Sequence, residues 1–146
     1  MNKITEAVEY FNRGYNCCQS ILLTYGKEFG IDKKTSIKIG HAFGGGIVRT
    51  GETCGAVAGA IMIIGLKYGK TKLVDKESDK RVFHYTTKFL KEFEAENKSS
   101  LCIELLNIDI STKEGLEKAE NEGIFKATCP KIVESAARIL KNIITD

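Results

Sequence analysis

The sequence predicts an all-α fold, a single helical bundle of five to seven helices around a central apolar, glycine-rich helix. Pro130 is the only proline in 146 residues. The alternation of apolar and polar residues that marks a half-buried strand is nearly absent. Apolar residues recur instead at helical spacing, bounded by Asn, Ser, Thr and Gly where helices start and stop.

A first helix is expected over about 2–12, with Ile4, Val8 and Phe11 on its apolar face. A second runs from about 16 to 28, opened by Asn16 and closed near Gly30. A third covers about 33–43 and runs into Gly44-Gly45-Gly46, a strong stop. The next begins near Thr53 or Cys54 and ends at Tyr68-Gly69; it is apolar on nearly all sides and so belongs at the centre. Lys70 to Lys80 is charged and reads as a connection. An amphipathic helix follows at about 76–96, with Val82, Tyr85, Phe89 and Phe93 on one stripe. Two shorter pieces, about 100–106 and 112–121, precede a last helix from about 129 to 143. No repeat, low-complexity tract or linker divides the chain, so residues 1–146 read as one domain.

The net charge of +3, with no run of like charges, gives nucleic-acid binding little electrostatic support. The N-terminus lacks the apolar core of a signal peptide. The most apolar stretch, Gly55 to Leu66, is twelve residues long, short of the roughly 20 that span a bilayer. The expected compartment is therefore the reducing cytoplasm, where structural disulfides are rare. Five cysteines then call for inert packing, metal binding or redox catalysis.

Each cysteine falls at or near an expected helix start. Cys17 and Cys18 follow Asn16, Cys54 follows Thr53, Cys102 follows Ser99-Ser100, and Cys129 lies between Thr128 and Pro130. The first turn of a helix presents unpaired N–H groups and about half a positive charge, which favours a thiolate as nucleophile or metal ligand. Cys129 heads the stripe Ile132, Val133, Ala136, Leu140, and Cys102 heads Leu105 and Leu106, so both should point inward. Cys18 is in register with Leu22, Tyr25 and Phe29, whereas Cys17 lies off that stripe. Periodicity thus makes Cys18 a core filler and leaves Cys17 free for chemistry.

Between Phe43 and Ala60, Gly51, Gly55 and Gly59 recur every four residues. Gly55 and Gly59 share a helix face that lets another backbone approach closely. Gly44-Gly45-Gly46 supplies backbone freedom for a loop whose N–H groups approach an anion, either a thiolate or a ligand. The segment Gly65 to Thr71 imitates a phosphate loop, but it is one residue short and lies at a helix C-terminus, the wrong end for phosphate.

Cys54-Gly55-Ala56-Val57-Ala58-Gly59, with Asn16-Cys17-Cys18-Gln19, Cys102-Ile103-Glu104-Leu105 and Cys129, resembles the C_GCAxxG_C_C family of bacterial and archaeal redox-active proteins. The resemblance covers nearly the whole chain and places the family's four cysteines on Cys17, Cys54, Cys102 and Cys129. One departure is Asn107 where relatives are expected to carry Gly; Asn also accepts a left-handed helix cap. Some relatives carry selenocysteine at a cysteine position, which implies thiol redox work. Relatives also tend to lie near transporter genes, which implies association with a transporter complex as another role.

Other candidates are weaker. His41, just before the glycine loop, could serve a nearby thiol as base or ligand, and Arg49 could steady a thiolate, though a surface arginine is the simpler account. Glu104 could take a proton from Cys102 or be a first-turn acid. His84 shares a solvated face with Lys88 and Lys91.

The first reading is therefore a thiol oxidoreductase working with Cys17, Cys54, Cys102 and Cys129 on a redox partner or a small-molecule thiol or disulfide. The chain has no Cys-x-x-Cys pair, so these thiols must meet through the fold. An alternative has the same four thiolates hold zinc or an iron–sulfur cluster. A third is a non-catalytic helical module with inert cysteines, associated with a transporter system.

Overall fold

The computed structural model describes residues 2–145. Among them are eight α-helices: α1 (Lys3–Asn12), α2 (Cys17–Tyr25), α3 (Lys33–Gly40), α4 (Gly55–Tyr68), α5 (Lys76–Asn97), α6 (Cys102–Leu106), α7 (Lys113–Asn121) and α8 (Ile124–Ile144). The all-α class is as expected and the count is one above the upper bound, because both short pieces near 100–121 are helical. α7 stands on its own cap, Thr112, whose side chain accepts from the Gly115 N–H. Two expected helix ends tighten into 3-10 turns, Gly26–Phe29 and His41–Phe43.

The core lies where α2, α4, α5 and α8 meet, with α1 laid across α2 and α8. Val57, Ile63 and Ile64 of α4 are fully buried, as are Phe89 and Phe93 of α5 and Val133, Leu140 and Ile143 of α8. Each such side chain contributes about 1.5–3 kcal/mol by leaving water. Tyr25 sits among them and donates its hydroxyl to the Ala137 carbonyl, so its polar tip is satisfied. A smaller apolar cluster, with Leu106, Ile110, Ala119 and Cys129 buried, joins α6, α7 and the first turns of α8. Among the described residues, no helix is long and apolar enough to cross a membrane.

α2 and α4 approach closely because α4 is glycine where they cross. A Cβ on Gly55 would lie 2.8 Å from the Phe43 carbonyl oxygen and 3.1 Å from the Cys18 nitrogen. One on Gly59 would lie 3.1 Å from the Ile21 Cβ.

α8 departs from expectation at its start. It begins at Ile124, after Gly123 in the left-handed conformation, and carries Pro130 inside it. An interior proline costs about 3 kcal/mol. The added turn packs Ile124 and Phe125 onto the smaller cluster, and their burial offsets much of that cost. Cys129 is consequently the sixth residue of α8 rather than a first-turn residue.

Candidate functional site

Four segments carry the cysteines to one place. Asn16 caps α2 in a reciprocal box: its side chain accepts from the Gln19 N–H, and the Gln19 side chain accepts from the Asn16 N–H. The Asn16 amide also donates to the carbonyls of Gly40 and His41, tying the start of α2 to the end of α3. Cys17, first in the helix, is thereby held beside the start of α4. Cys54 is the N-cap of α4, and the Cys17 Cβ is 3.3 Å from where a Gly55 Cβ would sit.

Cys102 arrives by backbone pairing. The Cys54 N–H donates to the Ser100 carbonyl at 2.8 Å, Cys102 N–H to Glu52 at 2.7 Å and Ile103 N–H to Gly51 at 3.0 Å. This two-segment ribbon, with an antiparallel bridge between Thr53 and Leu101, sets Cys102 beside Cys54. Cys129 enters from α8.

Cys17, Cys54, Cys102 and Cys129 all line one cavity of about 830 Å³. Its apolar wall includes Phe11, Leu105, Ile110 and Phe125; its polar lining includes Asn16, His41, Arg49, Glu120 and Lys126. All five cysteines are free thiols. Cys17 lies close enough to Cys129 and Cys54 for both to act on its ionisation. Cys18, next in the chain, is fully buried in the main core and does not line the cavity.

Over the cavity runs a strained loop. Gly45, Gly46, Ile47, Val48 and Arg49 all have φ between 44° and 69°. Left-handed backbone is costly for any side chain and most so for β-branched ones such as Ile47 and Val48. Bridging hydrogen bonds hold it, from the N–H groups of Val48, Arg49, Gly51 and Glu52 to the carbonyls of Ala42, Gly44, Gly45 and Gly46. Gly46 must be glycine, since a Cβ there would lie 2.6 Å from the Cys102 Cβ.

The family model described as "Putative redox-active protein (C_GCAxxG_C_C)" matches residues 15–143. The chain belongs to the C_GCAxxG_C_C family. No curated protein and no solved structure matches it.

The electrostatics of this C_GCAxxG_C_C site separate its thiols. The Cys54 pKa is lowered, first by the hydrogen bond from Cys17 and then by the N–H groups of Ala56 and Val57 in the first turn of α4, against the opposing effect of burial. Its sulfur makes no capping hydrogen bond of normal geometry, yet these two N–H groups still favour the anion. Cys17 is pushed well up, by its bonds to Cys129 and Cys54 and then by burial. Burial pushes Cys102 up to about 12, with the neighbouring Cys54 and Cys129 adding to it. A helix start therefore does not lower a thiol pKa by itself: Cys17 and Cys102 both open helices, and both are raised.

Among the described residues, no three His, Cys, Asp or Glu side chains are disposed as a metal-ligand set. His41 and Arg49 line the cavity. Glu104 does not; it is exposed and accepts from the Ser99 hydroxyl. His84 lies elsewhere, edge-on to the Tyr85 ring. Sequence reasoning missed Lys126 and Glu120. Lys126 shares a face with Cys129 at i, i+3, a signal hidden by starting the last helix too late.

Proposed function

We propose that this protein is a thiol–disulfide oxidoreductase in which Cys54 attacks and Cys17 resolves, with Cys129 taking the disulfide onward. The observation that carries the reading is the convergence of Cys17, Cys54 and Cys129 on one cavity, with Cys54 the thiol whose anion is favoured by Cys17 and by the first-turn N–H groups of α4.

The Cys54 thiolate attacks one sulfur of a disulfide R–S–S–R′, forming the mixed disulfide Cys54–S–S–R and releasing R′–S⁻. Cys54 is then uncharged and no longer accepts from Cys17. Two of the influences that raise the Cys17 pKa are gone, and its proton passes to the departing R′–S⁻. The Cys17 thiolate attacks the Cys54 sulfur, releasing R–S⁻, which takes a proton from water. Two electrons pass from the cysteine pair to the substrate, which leaves as two thiols. Attack by Cys129 on the Cys17 sulfur next moves the disulfide to Cys17–Cys129 and frees Cys54 without net redox change. An external dithiol reverses the cycle. Cys102 lines the same cavity, but burial holds it protonated, so it does not replace Cys17 as the resolving thiol.

The test is trapping with a small disulfide, read by intact mass and peptide mapping. Wild type should end with an internal disulfide and no adduct. Cys17→Ser should hold the adduct on Cys54, and Cys54→Ser should slow the reaction by about 100-fold or more, the scale on which losing an activated nucleophile acts. An adduct on another cysteine in Cys17→Ser would overturn the assignment.

A further inference from the structure

The cavity says which disulfides the site takes. Its volume of about 830 Å³ suits a small molecule rather than a folded partner. Its wall is largely apolar, and the charged side chains lining it are Arg49, Lys126 and Glu120. Both cations are exposed, and among the described residues neither makes an ion pair, although other lysines do. Gly45 and Gly46 also line the cavity, and among the described residues their N–H groups have no backbone acceptor. Two unpaired cations and free loop N–H groups against one carboxylate favour an anion at the mouth.

We propose that the substrate is a small organic disulfide bearing an anionic group such as a carboxylate, held by Arg49, Lys126 and the Gly45–Gly46 amides while its disulfide reaches Cys54. This rests on the oxidoreductase reading above, and the electrons move as there: the disulfide takes two electrons from Cys54 and Cys17, one proton from Cys17 and one from water, and leaves as two thiols.

The experiment measures oxidation rates of the full-length reduced protein by three disulfides of similar size: dithiodipropionate (dianionic), hydroxyethyl disulfide (neutral) and cystamine (dicationic). Each rate is divided by the rate with free mercaptoethanol. At low salt the order should be anionic, neutral, cationic, with about tenfold between the ends, shrinking as salt rises. Arg49→Gln and Lys126→Gln should each narrow the anionic-to-cationic ratio about threefold, and Glu120→Gln should widen it. Lys126 and Glu120 are exposed, so two of the three variants leave the strained loop untouched. A flat or reversed order, or a ratio that no variant moves, would overturn the anionic assignment while leaving the thiol chemistry standing. Failure of all three disulfides to oxidise Cys54 would sink the oxidoreductase reading, and this inference with it.

Discussion

The helix crossing at the centre and the loop over the cavity are adjacent in the chain and built on opposite physics. At the crossing of α2 and α4, every φ is helical, the side chains are small or aliphatic, and the free energy comes from buried apolar area. In the loop 45–49, five consecutive residues are left-handed, Ile47 and Val48 are 41% and 65% exposed, and backbone hydrogen bonds do the holding. Cys17 and Cys18 sit on the boundary, one in each environment. Stability is concentrated at the crossing, and strain sits where the chemistry is proposed.

Alkali should give the largest separation. Unfolded thiols ionise near 9.0, whereas burial holds Cys18 and Cys102 protonated up to about 12. Across that window the unfolded chain binds fewer protons, so stability falls as pH rises, by about 1.4 kcal/mol per pH unit for each thiol. Cys54 acts in the opposite sense: its lowered pKa adds stability above 9.0 that fades as pH falls through the folded value. Urea unfolding of Cys18→Ala should show a shallower alkaline decline at a cost of about 1 kcal/mol near neutrality, with Cys54 reactivity unchanged. A change in reactivity would mean that Cys18, not Cys17, faces the site.

Two glycines of α4 offer the next test. Gly55→Ala drives a Cβ into backbone atoms of Phe43 and Cys18 and should destabilise by about 1–3 kcal/mol. It should also slow disulfide formation between Cys17 and Cys54. Gly65 meets nothing within 4 Å, so Gly65→Ala should stabilise by up to about 1 kcal/mol through helix propensity. Equal effects in chemical denaturation would mean that the close crossing is not what makes Gly55 necessary.

The smallest effect reports on the loop. Val48 has φ 44°, a conformation costing a β-branched residue about 1–2 kcal/mol. Val48→Gly should therefore raise the unfolding free energy, measured by urea denaturation, by up to about 1 kcal/mol once the added chain entropy of glycine is counted. Destabilisation would indicate that Val48 packs more than its exposure implies.

Much of this molecule follows from the sequence alone. Helical period, the cap Asn16 and the dense apolar run of α4 set the class and most helix positions, because each depends on neighbours within four residues. The same local period separated Cys18 from Cys17, and the glycine spacing pointed to a close backbone approach. Only the tertiary structure decided the rest. The ribbon joining residues 51–54 to 100–103 pairs backbone groups nearly fifty residues apart, and no local pattern encodes a partner at that distance. The left-handed run through Ile47 and Val48 contradicts their intrinsic preference and exists because surrounding hydrogen bonds outweigh it. α8 starts before Pro130 because Ile124 and Phe125 find a cluster to bury against. Which thiol ionises was likewise undecided, since Cys17, Cys54 and Cys102 all occupy helix starts. Their different pKa values come from which groups the fold sets beside each sulfur.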